Sequence, residues 1–330
     1  MKKVNIAIVG ATGMVGRTFL KVLEERDFPV NNLYLFASSR SKGKKLKFKN
    51  KEYSVEELNE TSFNRDIHIA LFSAGSEVSK KYAPIAKENG VIVVDNSSAW
   101  RMDKDVPLIV PEVNPEDIKW HNGIISNPNC STIQCVVPIK PLHDKFKIKR
   151  IVYSTYQAVS GSGMGGIKDL ENGIEGKPCS KYPHQIAFNC LPHIDIFMEN
   201  KYTKEEMKII NETQKILNDY NIKITATAVR IPVRYGHSVA TNIEFENPFE
   251  LKDIYKTLKT AKGVILKDDI ENNIYPLPLE AEDTDEVYVG RIRRDFSVDN
   301  GVNLWIVADN IRKGAATNTV QIAELLLQTI

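Results

Sequence analysis

Hydrophobic residues in the first third of the chain fall in short, unbroken runs: Val4 to Val9, Leu33 to Ala37, Ile67 to Phe72, Val91 to Val94 and Gly123 to Ile125. Segments whose apolar residues recur every three or four positions lie between them. Runs of that length are strands buried on both faces, and intervening helices set such strands parallel, so the pattern predicts a doubly wound, Rossmann-like α/β sheet. From Lys149 the texture changes to longer alternating stretches at Arg150 to Ala158, Ile222 to Val233, Ser238 to Glu246, Glu286 to Arg293 and Val302 to Ala308. Helical spacing occupies 164–174, 203–219 and 249–261. Alternation gives each strand two unlike faces, the mark of an α+β domain. The last segment, Ile311 to Ile330, carries Val320, Ala323, Leu326 and Leu327 at helical spacing and is expected to return to the first domain. The boundaries expected are therefore 1–129 with 311–330 for one domain and 130–310 for the other.

Composition narrows the function more by exclusion than by indication. The chain has 330 residues, 42% hydrophobic and 26% charged, with a net charge of +2. That size exceeds one ordinary core, and the balanced charge offers no footprint for nucleic acid or a membrane surface. The Met-Lys-Lys start imitates a signal peptide, but Gly10, Thr12 and Gly13 interrupt the apolar stretch, which reads instead as a buried first strand. No apolar run approaches the ~18 residues of a membrane span. Four cysteines (130, 135, 179 and 190), with no Cys-x-x-Cys pair, make neither a disulfide framework nor a zinc site, so no metal is expected and a reducing cytoplasm fits. Cys135, Cys179 and Cys190 are expected to pack as small hydrophobes.

Three places carry chemistry. Gly10-Ala-Thr-Gly13-Met-Val-Gly16 joins the first strand to a helical pattern, where glycines let the backbone approach a pyrophosphate held at a helix N-terminus. The second strand ends Ala37-Ser38-Ser39-Arg40-Ser41, with an arginine and hydroxyls instead of an acid, so a 2'-phosphate is favoured and NADP is expected over NAD; the alternative is a basic solvated loop running on through Lys42, Lys44 and Lys45. Cys130 stands in Ser126-Asn-Pro-Asn-Cys-Ser-Thr132, between an apolar strand and a helix, where unpaired N–H groups favour a thiolate. His237, in Gly236-His-Ser238 at a strand junction, is a candidate for proton exchange near neutral pH beside that thiol. Thr203-Lys-Glu-Glu206 is a capping box, which leaves Glu205 and Lys208, three apart, on one helix face, where the residues by themselves favour an exposed surface ion contact. Pro138 is expected to kink or end the helix after Cys130.

With those residues in place, the sequence resembles the bacterial aspartate-semialdehyde dehydrogenase family along essentially its whole length. The matching segments include the glycine loop, Asp95-Asn-Ser-Ser-Ala-Trp-Arg101, Asn127-Pro-Asn-Cys-Ser-Thr132, Tyr156-Gln-Ala-Val-Ser-Gly-Ser-Gly163, Pro183-His-Gln-Ile-Ala-Phe-Asn189, Arg230-Ile-Pro-Val233, Gly236-His-Ser238 and Gly314-Ala-Ala316. The resemblance implies Cys130 as nucleophile, His237 as acid/base and Gln157 as the group orienting the substrate or acyl intermediate. It implies Glu205 and Arg230 as holders of the amino acid's ammonium and carboxylate, and Arg101 and Lys208 as phosphate ligands. NADP contacts implied are Gly10, Thr12, Gly13, Met14, Val15, Gly16, Ser38, Arg40, Ser41, Ser160, Gly161 and Asn310. It further implies an NADP-binding first domain, a catalytic second domain that pairs into a homodimer, and the aldehyde and phosphate as small-molecule partners. Competing readings are an N-acetyl-gamma-glutamyl-phosphate reductase, which shares loop, thiol and histidine, and a non-catalytic NADP-sensing protein. Oxidation of Cys130 as a redox sensor could accompany catalysis.

Overall fold

The computed structural model describes residues 3–328, so Met1 and Lys2 of the signal-like start, and Thr329 and Ile330 of the terminal segment, lie outside the described residues. The chain divides into two compact units, Met1–Asn129 with Ala315–Ile330, and Cys130–Gly314.

The first unit contains β1 (Val4–Val9), α1 (Met14–Glu25), β2 (Val30–Ala37), β3 (Lys45–Phe48), β4 (Lys51–Glu57), β5 (Ile69–Phe72), α2 (Ser76–Glu88), β6 (Ile92–Asp95), β7 (Ile124–Ser126) and the terminal helix α8 (Asn318–Leu326). Its seven strands run in the order β3-β4-β2-β1-β5-β6-β7. All pairings are parallel except the β3–β4 hairpin, so the parallel strands alone follow the 3-2-1-4-5-6 order of dinucleotide-binding sheets. Every residue of β1 is buried, and alternation decides against what. Ile6 and Ile8 join a core with Phe19 and Leu23 of α1 and with Val320, Ala323 and Leu326 of α8. Ala7 and Val9 face a second core with Phe63, Phe72 and Ala83 and Ala86 of α2. Asn318 fastens α8 by donating to Ile109 O and Asn127 Oδ1 at 3.0 and 2.7 Å. Lys42 and Lys44 lie in an exposed turn, as the loop alternative has it, whereas Lys45 opens β3 of the β3–β4 hairpin. Charged residues alternate there with Leu46 and Phe48, and only the latter face the core.

The second unit contains α3 (Cys130–Phe146), β8 (Ile148–Gln157), α4 (Met164–Ile174), α5 (Lys204–Leu217), β9 (Lys223–Arg230), β10 (His237–Phe245), α6 (Leu251–Lys259), β11 (Val264–Leu266), α7 (Pro278–Ala281), β12 (Val287–Asp295) and β13 (Gly301–Ala308). Its six strands run β11-β12-β13-β10-β8-β9. Tyr153, Thr155 and Gln157 of β8 and His237, Val239 and Thr241 of β10 are buried on the side that α3 and α5 cover. Tyr156, Ala240 and Trp305 point the other way and stay partly exposed, with the Tyr156 and Trp305 rings 5.5 Å apart. Register gathers four strand ends: Gln157 lies opposite Arg230, Tyr156 opposite Ser238, and Ala308 opposite His237. One end of the sheet therefore holds the last residues of β8, β9 and β13 and the first of β10.

The helix after Cys130 does not stop at Pro138. It runs through Pro138 and Pro141 to Phe146, giving up the bonds those nitrogens would have donated. Ile133 to Ile139 are all buried against the sheet and the neighbouring helices, and that packing holds the helix together across both prolines.

Candidate active site

The glycine loop of the first unit is shaped for something larger than a turn. Gly10 has φ +87°, and a Cβ there would sit 2.3 Å from Ser73 O; a Cβ on Gly16 would sit 2.2 Å from Gly10 O. Any side chain would fill the space or break the turn. Gly13 caps α1 without a side chain, and the first bond of the helix runs from Arg17 N–H to Gly13 O. The N–H groups of Met14, Val15 and Gly16 precede that bond and suit an anion. Beyond β2, Ser38 leads a single 3-10 turn, Ser39–Ser41, with Ser38 and Arg40 exposed and Ser41 buried, its hydroxyl 3.2 Å from that of Thr12. The residues present fit a dinucleotide with a 2'-phosphate. In the same unit Arg101 is buried and donates to Asn96 O at 3.0 Å, in a turn organised by Asp95, whose carboxylate accepts from the Ser97 hydroxyl at 2.6 Å. Burial raises the Asp95 carboxyl above its ordinary range, against the lowering pull of Ser97, Ser79 and Arg101.

In the second unit two helix N-termini meet the gathered strand ends. Cys130 is the first residue of α3, and a Cβ built on Gly314 would lie 2.9 Å from its Cβ, so the chain passes flush against the thiol-bearing residue. One turn further along α3, Gln134 donates to the His237 carbonyl at 3.3 Å, tying the helix to the start of β10. The imidazole is held from its other side: Ala158 N–H donates to Nδ1 at 3.0 Å. A neutral ring so bonded carries its proton on Nε2. Nε2 is buried and has no hydrogen-bond partner among the described residues, and it lies 3.3 Å from where a Gly161 Cβ would be. Burial, then the charge of Arg230, holds His237 well below the ordinary histidine range. In the resting protein the ring is accordingly neutral and offers Nε2–H.

Arg230 is buried and donates through Nη1 to Ala158 O at 2.7 Å, while its Nε has no partner among the described residues. Two buried polar atoms without partners, on side chains that share Gly161 as a neighbour, mark a place kept for a ligand, since such atoms otherwise cost about 1–3 kcal/mol each. Ser160 exchanges hydrogen bonds with Asn310 at 3.0 and 3.1 Å, and Asn310 Oδ1 also accepts Gly236 N–H, so the 158–161 loop, the start of β10 and the end of β13 form one polar knot.

The N-terminus of α5 brings the remaining residues. The capping box is present in full, with Thr203 N–H donating to Glu206 at 2.7 Å and Glu206 N–H to the Thr203 hydroxyl at 3.3 Å. It aims Glu205 at Gln157, whose Nε2 donates to Oε1 at 3.3 Å and to the Thr155 hydroxyl at 3.2 Å. Lys208 donates to Glu205 Oε2 at 3.2 Å and, unforeseen in the sequence, to Asp195 Oδ2 at 2.7 Å. Thus Cys130, Gln157, Ser160, Gly161, Glu205, Lys208, Arg230, His237 and Asn310 belong to the second unit, and the loop residues with Ser38, Arg40, Ser41 and Arg101 to the first. Sequence reasoning missed Gln134, Asp195 and Gly314 as site residues. Helical spacing from Cys130 could have suggested Gln134; Asp195 carries no such signal. Of the other thiols, Cys135 is buried and pushed upward by that burial, Cys179 donates to Asp169 O at 3.3 Å, and Cys190 is exposed.

A family model described as semialdehyde dehydrogenase, NAD binding domain, matches residues 5–121, and another, semialdehyde dehydrogenase, dimerisation domain, matches 139–313. The chain is 60% identical to the aspartate-semialdehyde dehydrogenase of Aquifex aeolicus over 98% of each chain. It belongs to the aspartate-semialdehyde dehydrogenase family. Another relative, from Campylobacter jejuni, is 51% identical over 99% of this chain and 98% of its own. Among solved structures, aspartate semialdehyde dehydrogenase II of Vibrio cholerae complexed with ASA superposes with a TM-score of 0.95 at 48% identity, covering 99% of each chain. The Candida albicans enzyme with NADP gives 0.78 at 27% identity over 98% of each. The family is built as the fold is here, a dinucleotide-binding sheet followed by a second sheet domain.

Proposed function

We propose that the chain interconverts L-aspartate 4-semialdehyde plus phosphate with L-4-aspartyl phosphate, using NADP(H), in the biosynthesis of lysine, threonine, methionine and isoleucine. What supports this reading is Cys130 at the positive end of α3, a helix that Gln134 ties to the His237 backbone, together with the buried Nε2 of His237 and the Arg230 guanidinium that share Gly161 as a neighbour. The substrate named in the relatives is aspartate semialdehyde, which disfavours the N-acetyl-gamma-glutamyl-phosphate alternative. The retained thiol and imidazole disfavour a non-catalytic sensor.

In the biosynthetic direction Cys130 Sγ attacks the acyl carbon of aspartyl phosphate, the C–O bond to phosphate breaks, and a thioester remains. The N–H groups at the start of α3 favour the thiolate that attacks and the oxyanion that follows. NADP(H), when bound at the glycine loop and Arg40, supplies or accepts the hydride. His237 manages the proton at Nε2, donating toward the hemithioacetal oxygen and taking the proton back at the same atom in reverse. Gln157 orients the acyl group, Glu205 holds the ammonium, Arg230 the carboxylate, and Lys208 with Arg101 the phosphate. A thioester reactive enough for phosphate lets one intermediate serve both directions.

The family model's dimerisation domain coincides with the sheet that leaves Tyr156 and Trp305 partly exposed, which supports a homodimer built on that face. Among the described residues no helix is long and apolar enough to cross a membrane, and an active thiol suits a reducing cytoplasm.

The test is a mass measurement after mixing the protein with aspartate semialdehyde and NADP+ without phosphate. One acyl adduct on Cys130 is expected, discharged by added phosphate and absent in Cys130→Ser. Undiminished NADP+ reduction by Cys130→Ser would overturn the proposal.

A further inference from the structure

Lys208 does not stand alone at the mouth of α5. Its ammonium donates to Asp195 Oδ2 at 2.7 Å and to Glu205 Oε2 at 3.2 Å. Two carboxylates thus share the one ammonium that is read as a phosphate ligand, and phosphate must compete with them for it.

The two carboxylates are not equivalent. Glu205 is buried, its side chain 7% exposed, and Gln157 holds its other oxygen. Asp195 is 30% exposed, sits at φ +68° in the segment ahead of α5, and turns its other oxygen back to the N–H of Ile196. The residues that follow, Ile196 and Phe197, are 64% and 60% exposed. The backbone after Asp195 is tied to the start of α5 by Lys204 N–H to Ile196 O at 2.8 Å and by the Phe197–Thr203 bridge, so what can give way is the part-exposed carboxylate and not the chain. Burial would raise its carboxyl, but the hydrogen bond and charge of Lys208, with Ile196 N–H and the charge of Lys204, hold it below the ordinary range, so it is ionised at neutral pH.

We infer that Asp195 is a displaceable counter-ion for Lys208 and sets the phosphate affinity of the site by competing with phosphate for the ammonium. This rests on the reading of Lys208 as a phosphate ligand. When phosphate arrives, Asp195 yields Lys208 to it; when phosphate leaves in the biosynthetic direction, Asp195 recaptures the ammonium and opposes rebinding. Glu205 remains in place throughout, so the substrate's ammonium site is undisturbed.

Initial rates in the phosphorylating direction, with inorganic phosphate varied, separate the possibilities. Asp195→Asn is expected to lower the KM for phosphate about three- to tenfold, the range for a partly exposed ion pair, with the KM for aspartate semialdehyde changed less than twofold. Inorganic phosphate should also inhibit the biosynthetic direction at correspondingly lower concentration. Asp195→Ser gives the same shift if charge is the cause, and serves where the asparagine variant folds poorly. An unchanged or higher KM for phosphate in the folded variants sinks the inference, because Asp195 would then be positioning Lys208 instead of competing for it. Lys208→Ala tests the underlying reading on its own. There the phosphate KM should rise, and if it does not, the phosphate role of Lys208 fails whatever Asp195 does.

Discussion

At the scale of single residues, His237 makes the clearest prediction about pH. Its imidazole is buried, capped at Nδ1 by Ala158 and held well below the ordinary histidine value by burial and by Arg230. Below about pH 6.5 the unfolded chain takes up a proton at this histidine that the folded chain refuses. The unfolded state then binds more protons, so stability falls with falling pH, approaching about 1.4 kcal/mol per pH unit, and is unaffected by this group above 6.5. Thermal melts between pH 7 and pH 5 should show a steeper loss for the native chain than for His237→Asn; equal slopes would refute the assignment. Cys130 and His237 were legible as candidates because each stands in a short string with its own chemical logic, whereas the roles of Glu205 and Arg230 came only from the resemblance. Asp195 and Gln134 were not legible, since what gives them a role is a partner 13 residues away in the first case and 103 in the second.

Between residues and the whole molecule, local pattern decided most elements and long-range packing decided the exceptions. The runs at Val4 and Ile67 became strands because burial on both faces leaves no other use for them. The β3–β4 hairpin escaped notice because lysines and glutamates occupy most of its positions, and α3 outlasted its two prolines because its surroundings, not its own hydrogen bonds, hold it. Asp169 of α4 offers a test at this scale. Its buried carboxylate accepts the N–H groups of Ser180, Lys181 and Tyr182 at 2.9, 2.6 and 3.0 Å, fastening that loop, and the Tyr182 hydroxyl in turn donates to Val159 O beside the Gly161 turn. Asp169→Ala leaves three N–H groups without their acceptor and should cost about 2–4 kcal/mol. It should also expose the 176–184 loop to protease well below the melting temperature. A variant as stable and as protease-resistant as the parent would show that the loop is held by something else.

For the molecule as a whole, the second sheet has one face covered by helices and one open. Trp305 and Tyr156 on the open face adjoin a depression of about 300 Å³ bounded by Tyr275, Leu277, Arg291 and Arg293. A partly exposed aromatic cluster edged by arginines has the composition of an interface centre with its rim. Trp305→Glu is expected to shift the sedimenting species from dimer to monomer at micromolar concentration, with the fold retained by circular dichroism. A dimer that survives the charge would place the contact elsewhere. Which surface would pair in the proposed homodimer was not legible in the sequence, because outward and inward positions on these strands carry aromatic residues alike.

The contact between Gly314 and Cys130 has a practical consequence for anyone seeking to redirect this scaffold to other aldehydes. Position 314 tolerates no atom beyond hydrogen without pushing the sulfur's own carbon aside, so a library randomised there would return mostly dead clones.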